Sequence, residues 1–589
     1  MPVSCKERIL SNDYADWIID FELTEELRNM DTSNLDYCYH QVDRILGLVY
    51  TAREQMAPIG LLNYPYQRIP NLFGLQELVT ESVGNAFDPG PLIASGIRSV
   101  QQEPLSLTGK GTITVFIDTG IDYRNPLFRN PDGSSRILAI WDQTIQEGQP
   151  PTGFDYGTEY RKELIDQALQ SDNPLSIVPS IDENGHGTAI AGVAAGSNIS
   201  EGTIFSGAAP DADILVIKLK PCKQYLRDYY LIPDDVVAYQ STDIMMALQY
   251  ADTFAESFVR PVIFCIALSS SYGSHNGTSP LSNYMNRLAN KRSRVFVTGG
   301  GNEGNSAHHY EGNLSPENGR QDEMQEEIEI RVGEGEKGFI AEIWGNTPNV
   351  FSLSIRSPGG EEIPNIGVQA DKGITYEFVY EKTNVTVSYA LVEGSIGDEL
   401  ITVRFQNPTP GIWSMILQSE SGLRNAGFHV WLPISRFLSG ETYFLNSNPN
   451  ITLTIPGFAE NAITVSAYSS RNNSIYVRSG RGFSRGSQIK PDIAAPAVGV
   501  SAPQRGLPGE LRLASVTGSA LSAAITTGAV ADFMQWAVLE KNATYLNSGE
   551  VKNYFIRGAL RDRNLEYPNK LWGFGKLSLQ GVFDSLAEL

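Results

Sequence analysis

Four short apolar runs, rich in β-branched residues, alternate with helical stretches in the first half of this 589-residue chain. They occupy residues 112–117, 212–218, 261–268 and 294–298. A run that is apolar on both faces is typical of a parallel strand buried between two layers of helices. The alternation therefore predicts an α/β domain built on a doubly wound, mostly parallel sheet.

The pattern changes after residue 321, where helical spacing disappears. Turns rich in Gly, Pro and Asn separate short strand-like runs at residues 327–332, 350–355, 375–380, 400–405 and 412–417. These runs predict an inserted all-β sandwich, jelly-roll-like, over residues 322–440. The α/β pattern returns at residues 462–467. The sandwich is therefore expected to interrupt one α/β domain, which comprises residues 81–321 and 441–589.

Residues 1–80 precede the first buried strand and carry two strand-like runs of their own, at 17–23 and 45–50. We expect a small, separate α+β unit that ends between residues 66 and 95.

The cysteine pattern gives no sign of a covalent framework. The chain has four cysteines, Cys5, Cys38, Cys222 and Cys265, with no close pair and no CxxC spacing. Neither a disulfide scaffold nor a zinc site is expected. Stability is expected to come from packing.

Composition narrows the expected partners. Acidic residues outnumber basic ones by 67 to 45, giving a net charge of −22. Nucleic-acid binding needs clustered Lys and Arg, so nucleic acid is not an expected partner. The sequence has no apolar stretch of about 18 residues, so we expect no membrane span, and its N-terminus lacks a conventional signal peptide. No loop has the Asp spacing of a calcium site, so we predict no metal and no other cofactor.

Three glycine-containing motifs carry candidate functional side chains. Asp118, in DTGID, ends the first buried run, and open α/β sheets keep their sites at strand carboxyl ends; a turn-capping aspartate is the alternative. His186, in NGHGT, lies between two glycines directly before a helix of small residues, where backbone can approach the imidazole. Asn302, in GGGNEG, either donates to a developing oxyanion or only favours a glycine turn.

These motifs, followed by TGSALSAA at residues 517–524, resemble in order the aspartate, histidine, oxyanion-asparagine and serine segments of the subtilisin-like serine proteases. KPDIAAP at residues 490–496 resembles the run that precedes the family's serine. The chain also resembles the clostridial Csp germination proteases of that family, through RILAIWDQT at 136–144, GSHNG at 273–277, HHYEG at 308–312 and the β insertion. The resemblance is firm from residue 107 to residue 575 and loose before that.

The resemblance implies a role for each motif residue. His186 is the general base, Asp118 orients its ring and stabilises the imidazolium, and Asn302 donates to the oxyanion. The residues that resemble the substrate-binding segments are Ser269, Ser270 and Ser271, which would pair with substrate backbone, and Gly299, Gly300 and Gly301, which would form the opposite wall of the specificity pocket.

Position 520, where the family carries its nucleophilic serine, is alanine. Gly518 and Gly528 match the two glycines that bracket the family's serine helix and fix this register. Without the hydroxyl no acyl-enzyme can form, and in subtilisin loss of the serine lowers kcat by about 10⁶-fold. Ser519 and Ser522 are expected to point away from the site.

The resemblance thus implies the precursor of a serine endopeptidase that acts on protein or peptide substrates and is inactive because of Ala520. Its N-terminal segment would be a folding aid and an intramolecular inhibitor. Ala520→Ser should release this segment by self-cleavage between residues 66 and 95. The expected location is the bacterial cytoplasm or the spore, or outside the cell by an unconventional route.

Two other functions stay open. A natural pseudoprotease would regulate spore germination by binding, and the departures of Ser519 and Ala524 from the family's usual Thr and Pro favour it. The presence of Asp118, His186 and Asn302 instead favours an active precursor whose serine was replaced. The third function is carbohydrate binding or adhesion by the β insertion.

Overall fold

The structure, a computed structural model, describes residues 3–20, 37–83, 87–314, 325–367, 373–420, 425–506 and 510–587. Its largest sheet has seven parallel strands, which in spatial order are Ile493–Pro496, Ile463–Ser469, Arg294–Gly299, Val262–Ile266, Ile113–Asp118, Asp213–Lys218 and Ile137–Asp142. Antiparallel strands Ser474–Ile475 and Thr158–Arg161 lie at the two edges. The predicted doubly wound, mostly parallel sheet is confirmed.

Helices cover both faces of this sheet. Those on one face are His186–Ala195 and Ser519–Met534, and those on the other are Ser241–Glu256 and Pro280–Ala289. Alternate residues of strand Ile113–Asp118, such as Phe116 and Ile117, enter the cores on opposite faces of the sheet. Both faces are therefore dry, which explains the unbroken apolar runs in the sequence. The other α-helices of the described residues are Cys5–Leu10, Gly90–Ala94, Ile97–Val100, Lys162–Leu169, Gln224–Tyr230, Ser548–Arg557 and Leu579–Ala587.

The β insertion is a sandwich of two antiparallel sheets. One sheet has the strands His309–Leu314, Ala426–Trp431, Gly338–Gly345, Glu399–Gln406, Thr383–Ala390 and Ile374–Phe378, and the other has Glu362–Ile366, Phe351–Arg356, Gly411–Ser419, Gln325–Val332 and Tyr443–Phe444. Their inward side chains form one buried aromatic and aliphatic core. The predicted all-β insertion is confirmed. Its predicted start at residue 322 lies outside the described residues, and the sandwich already includes residues 309–314.

The N-terminal unit is a three-stranded antiparallel sheet with one helix. Strand Leu46–Ala52 lies between Tyr14–Asp20 and Tyr37–Gln41, and helix Cys5–Leu10 packs beside them. Residues 21–23 of the predicted run at 17–23 lie outside the described residues. The small α+β unit is confirmed.

A disulfide joins Cys5 to Cys38 in this unit, across 33 residues of sequence. The expectation that cysteines make no covalent contribution was therefore wrong for this pair. The bond could not be predicted from the spacing of the two cysteines, because they meet only when the helix packs on the sheet. Cys222 and Cys265 are free and buried.

The N-terminal unit is anchored to the α/β domain by a buried ion pair. Lys223 Nζ lies 2.6 Å from Asp16 Oδ1, and both side chains are almost completely buried. Burial lowers the pKa of Lys223, and the charge of Asp16 opposes that shift. Removing either partner would leave the other charge buried without its counter-ion, which is strongly destabilising even though Lys223 also donates to the carbonyls of Arg8 and Tyr14.

The chain then crosses the α/β domain as two further strands. Leu72–Leu75 lies between Tyr239–Gln240 and Leu268–Ser269 as the middle strand of a small antiparallel sheet. Val79–Val83 pairs with Arg512–Thr517, just before the helix that carries Ala520. Within the described part of the chain, no helix is both long enough and apolar enough to span a membrane.

Three histidines meet where the sandwich packs on the α/β domain. His275 stacks on Trp431 at 4.1 Å between ring centroids, and His309 Nε2 lies 3.1 Å from His429 Nδ1. All three are buried. Burial lowers the pKa of His275 to about 3, of His309 to about 4 and of His429 to about 2. Arg485 also faces the cluster and opposes protonation of His275 and His429.

This cluster predicts acid sensitivity. A histidine in the unfolded chain takes up a proton near pH 6.5, which the buried rings do not, so stability is present above that pH and falls as the pH drops toward 4. Each ring contributes at most about 1.4 kcal/mol per pH unit. Urea unfolding of the chain and of His429→Gln between pH 7 and pH 4.5 should show a shallower pH slope for the variant. Equal slopes would contradict this account.

Candidate active site

Asp118 and His186 meet at the end of one element and the start of another. Asp118 is the last residue of strand Ile113–Asp118, and His186 is the first residue of helix His186–Ala195. His186 Nδ1 lies 2.8 Å from Asp118 Oδ1 and 3.0 Å from Oδ2. Both side chains are buried. The carboxylate accepts a hydrogen bond from Nδ1–H, and this leaves Nε2 on the side of the ring that faces away from the strand end.

Glycine beside the histidine permits this approach. A Cβ at Gly187 would lie 2.2 Å from the carbonyl oxygen of Gly120. Any larger residue would push the start of the helix away from the loop that follows Asp118. The NGHGT motif therefore has a steric basis as well as a chemical one.

Two opposing effects set the pKa of His186. Burial is the largest and disfavours the imidazolium, whereas the carboxylate of Asp118 and the hydrogen bonds at both ring nitrogens favour it. The second group prevails, and the pKa of His186 is raised above the ordinary 6.5. His186 Nε2 lies 2.9 Å from the carbonyl oxygen of Gln76, so both ring nitrogens face oxygen acceptors.

Ala520 is the second residue of helix Ser519–Met534 and is fully buried. The neighbouring hydroxyls are engaged elsewhere. Ser522 Oγ donates to the carbonyl of Ser519 at 2.6 Å, and Ser519 Oγ donates to Oε1 of Gln76 at 3.3 Å. Ser522 thus bonds within its own helix, whereas Ser519, which was expected to point away from the site, reaches the side chain of Gln76 instead.

Asn302 lies against the start of the same helix. Its Oδ1 accepts the backbone N–H of Ser519 at 3.1 Å, and its Nδ2 donates to the carbonyl oxygen of Glu77 at 2.9 Å. His186 and Asn302 thus contact two successive carbonyls of the N-terminal segment. The structure brings Asp118, His186, Asn302 and the helix of Ala520 together around residues 76 and 77.

Gln76 is held at every polar atom. Its backbone N–H donates to the carbonyl of Ala267 at 3.0 Å. Its side-chain Nε2 donates to Gly299 O at 2.8 Å and to Leu268 O at 3.3 Å. With only 1% of its surface exposed, the side chain fills a closed pocket.

Two of the six predicted substrate-binding residues contact this segment. Ser269 pairs with Gly74, and Gly299 lines the pocket of Gln76. The others have different backbone partners: Ser270 bonds to Ile455, Ser271 accepts from His275, Gly300 bonds to Val465 and Thr454, and Gly301 accepts from Gly480. Sequence reasoning missed Ala267, Leu268 and the flanking strand Tyr239–Gln240, none of which carries a motif. It also placed Ser519, which lies within TGSALSAA, outside the site.

Among the described residues, the group that meets the geometric requirement for a metal is Cys5, Cys38 and Asp155. The disulfide between the two cysteines removes their metal-binding thiolates. The group lies where the N-terminal unit, with its two cysteines, meets Asp155 of the α/β domain.

A sequence model described as the subtilase family matches residues 109–321 and 439–575 of the chain. The chain is also similar to the solved structure of the CspB protease of Clostridium perfringens, with 28% identity, a TM-score of 0.74, and coverage of 85% of this chain and 100% of that one. Serine protease AprX of Bacillus subtilis (strain 168) is 28% identical over 126 residues, which is 21% of this chain and 20% of AprX. The match to AprX thus spans about a fifth of that protein.

The environment of His186 predicts its titration. In the ¹⁵N-histidine-labelled chain, the His186 ring should titrate above pH 6.5, because its pKa is raised. Asp118→Asn removes the favouring charge and leaves burial, so it should lower the midpoint below the value in the parent chain. NMR titration checks both results, with His186→Gln used to assign the resonance. A parent midpoint at or below 6.5 would contradict the described balance.

Proposed function

The chain belongs to the subtilase family, a family of serine proteases, and we propose that it is an endopeptidase precursor whose own N-terminal segment occupies its substrate cleft. The observation that carries the proposal is the contact of His186 Nε2 with the carbonyl of Gln76 at 2.9 Å. This contact supports the proposal because it brings a peptide bond of the chain itself to the ring nitrogen that would activate a nucleophile. Similarity to the CspB protease supports the same class of reaction.

With serine at position 520, the reaction follows from the neighbouring groups. The step starts from neutral His186, which keeps its Nδ1 proton toward Asp118 and has no proton on Nε2. Nε2 then takes the hydroxyl proton as Oγ attacks the carbonyl carbon of Gln76, and Asp118 stabilises the imidazolium that forms. Asn302 donates to the oxyanion. The C–N bond to Glu77 breaks, His186 returns the proton to the leaving amine, and water then releases the acyl group as a carboxylate. With Ala520 the first step cannot occur, so this form is inactive.

Two successive bonds are candidates for self-cleavage. Asn302 contacts the carbonyl of Glu77, which favours the bond between Glu77 and Leu78. Gln76 has its carbonyl on His186, its N–H on the strand edge and its side chain in the pocket. The backbone and side chain of Gln76 are both held by buried groups, whereas Glu77 has one backbone contact and two partly exposed ion pairs. We therefore assign the cut to the bond between Gln76 and Glu77. The carbonyl of Gln76 must then turn toward Asn302 during attack.

The same contacts make the segment an inhibitor. Leu72–Leu75 uses both of its edges in hydrogen bonding, as a substrate strand would. The buried pair of Asp16 and Lys223 joins the N-terminal unit to the α/β domain at a point away from the cut, so this contact does not depend on an intact chain. The segment is therefore an intramolecular inhibitor before processing, and it stays a non-covalent inhibitor if it remains bound afterwards.

The test is restoration of the nucleophile. Ala520→Ser should yield two fragments on a denaturing gel, and N-terminal sequencing of the larger should begin at Glu77. The parent chain and Ala520→Ser combined with His186→Ala should stay intact, since neither has both nucleophile and base.

An intact Ala520→Ser chain with a native melting profile would overturn the proposal. A larger fragment that begins at Leu78 would retain the protease and move the cut by one bond, in agreement with the Asn302 contact.

The second candidate is a pseudoprotease that regulates spore germination by binding. The observation that favours it is Ala520 itself, which is packed without exposure at the start of its helix. A partner that binds the parent chain and Ala520→Ser equally, with cleavage by neither, would select this function.

A further inference from the structure

We propose that the substrate cleft selects glutamine at the position before the cut, and that Ser519 is a specificity residue for its side-chain amide. The proposal rests on the proposed function and names its substrate class: protein segments with glutamine on the acyl side of the cleaved bond. It is carried by the pocket that surrounds the Gln76 side chain.

The pocket matches a carboxamide in both kind and number of hydrogen-bonding groups. Two carbonyl oxygens, of Gly299 at 2.8 Å and Leu268 at 3.3 Å, accept from the Nε2 amide group. One hydroxyl, of Ser519 at 3.3 Å, donates to Oε1. An amide has two N–H donors and a carbonyl acceptor, so each group of the side chain has a partner of the correct type.

Other side chains would leave this pocket unsatisfied. A glutamate carboxylate would put negative oxygen against the carbonyls of Gly299 and Leu268, which cannot donate. A methionine of similar length would leave those carbonyls and the Ser519 hydroxyl buried without partners. Sites built to bond a polar substrate group discriminate strongly against analogues that lack it.

The pocket also limits size. A Cβ at Gly299 would lie 2.1 Å from Oε1 of Gln76 and 2.8 Å from the carbonyl of Ser519. Glycine at 299 is therefore what leaves room for the amide, and Gln76 already reaches the end of that room. A lysine or arginine, which is longer and has no acceptor for the Ser519 hydroxyl, does not fit the same contacts.

The residues on either side of Gln76 add weaker preferences. Glu77 lies 3.4 Å from Arg436 and 3.5 Å from Arg478, both partly exposed, so its attraction is modest and reduced by salt. A Cβ at Gly74 would lie 2.8 Å from Cδ1 of Ile434, a side-chain end that can shift at small penalty. The cleft is therefore most selective at the position of Gln76.

The first test uses Ala520→Ser as the parent enzyme. Gln76→Glu and Gln76→Met should each slow self-cleavage between residues 76 and 77 by about 100-fold or more. Ser519→Ala should slow it by about 10-fold, and Ser519→Thr, which keeps the hydroxyl, should restore the rate. Gln102→Met, at an exposed glutamine outside the cleft, should leave the rate unchanged. Rates are read from gels after induction, and thermal melting establishes that each variant is folded.

The second test needs no nucleophile and therefore separates this proposal from the proposed function. In the Ala520 chain, added chymotrypsin cuts near Leu72, Phe73 or Leu78 only when the segment leaves the cleft. Gln76→Glu, Gln76→Met and Ser519→Ala should accelerate that cutting several-fold relative to Gln102→Met.

The outcomes are distinct. Ala520→Ser that cuts itself equally fast with Gln, Glu or Met at residue 76 would overturn the glutamine proposal and leave the protease standing. If Ala520→Ser never cuts itself, the protease fails, and the chymotrypsin rates alone decide whether the pocket holds the amide. Equal chymotrypsin rates in all four variants would overturn that as well.

Discussion

The site depends on one interaction, the pairing of Leu72–Leu75 between Tyr239–Gln240 and Leu268–Ser269. A middle strand has both of its edges bonded, so its register is fixed from two sides. That register delivers Gln76 to the pocket and its carbonyl to His186. A shift by one residue would exchange the inward and outward side chains and remove Gln76 from the pocket. The geometry of the site is therefore set by backbone hydrogen bonds as much as by the side chains of Asp118, His186 and Asn302.

The same strand controls the electrostatics of the histidine. With the segment in place, His186 is only 5% exposed, and burial acts against its charge. The Gln76 carbonyl and Asp118 compensate by accepting from opposite sides of the ring. Departure of the segment would exchange one of these acceptors for water and reduce the burial at once. The basicity of His186 is thus linked to occupancy of the cleft.

The parallel sheet, the β insertion and the three motif residues could be predicted from the sequence, because each leaves a local signature. Buried parallel strands are apolar throughout, and Gly187 flanks His186 for a steric reason that acts within a few residues. The disulfide of Cys5 and Cys38 and the meeting of three histidines at Trp431 could not be predicted. Their partners come from separate elements, and only packing brings them together.

The pocket of Gln76 is also a feature that could not be predicted from the sequence. Gln76 lies in a stretch with no motif, and two of its partners are backbone carbonyls, which any residue type supplies. Ser519 stands next to a recognisable position, yet its hydroxyl acquires a role only through the docked segment. Sequence patterns identify catalytic chemistry, which demands particular side chains, more readily than they identify specificity built from backbone.

The insertion reaches the cleft through the segment that contains Ile434 and the turn Ser435–Phe437. Glu303, next to Asn302, accepts from His308 at 2.8 Å and from the backbone N–H of Ser435 at 3.1 Å. Burial raises the pKa of Glu303, but these hydrogen bonds outweigh it and the pKa is lowered, so the carboxylate stays charged.

The carboxylate of Glu303 ties the 3₁₀ turn Ser435–Phe437 to the loop that carries Asn302. This turn, with Ile434 before it, faces Gly74 and brings Arg436 to Glu77. A movement of the sandwich would therefore act on Asn302, the proposed oxyanion donor, and on both flanks of Gln76 together. The insertion therefore supports the position of Asn302 and of the residues beside Gln76, although we assign it no group in the bond-breaking step.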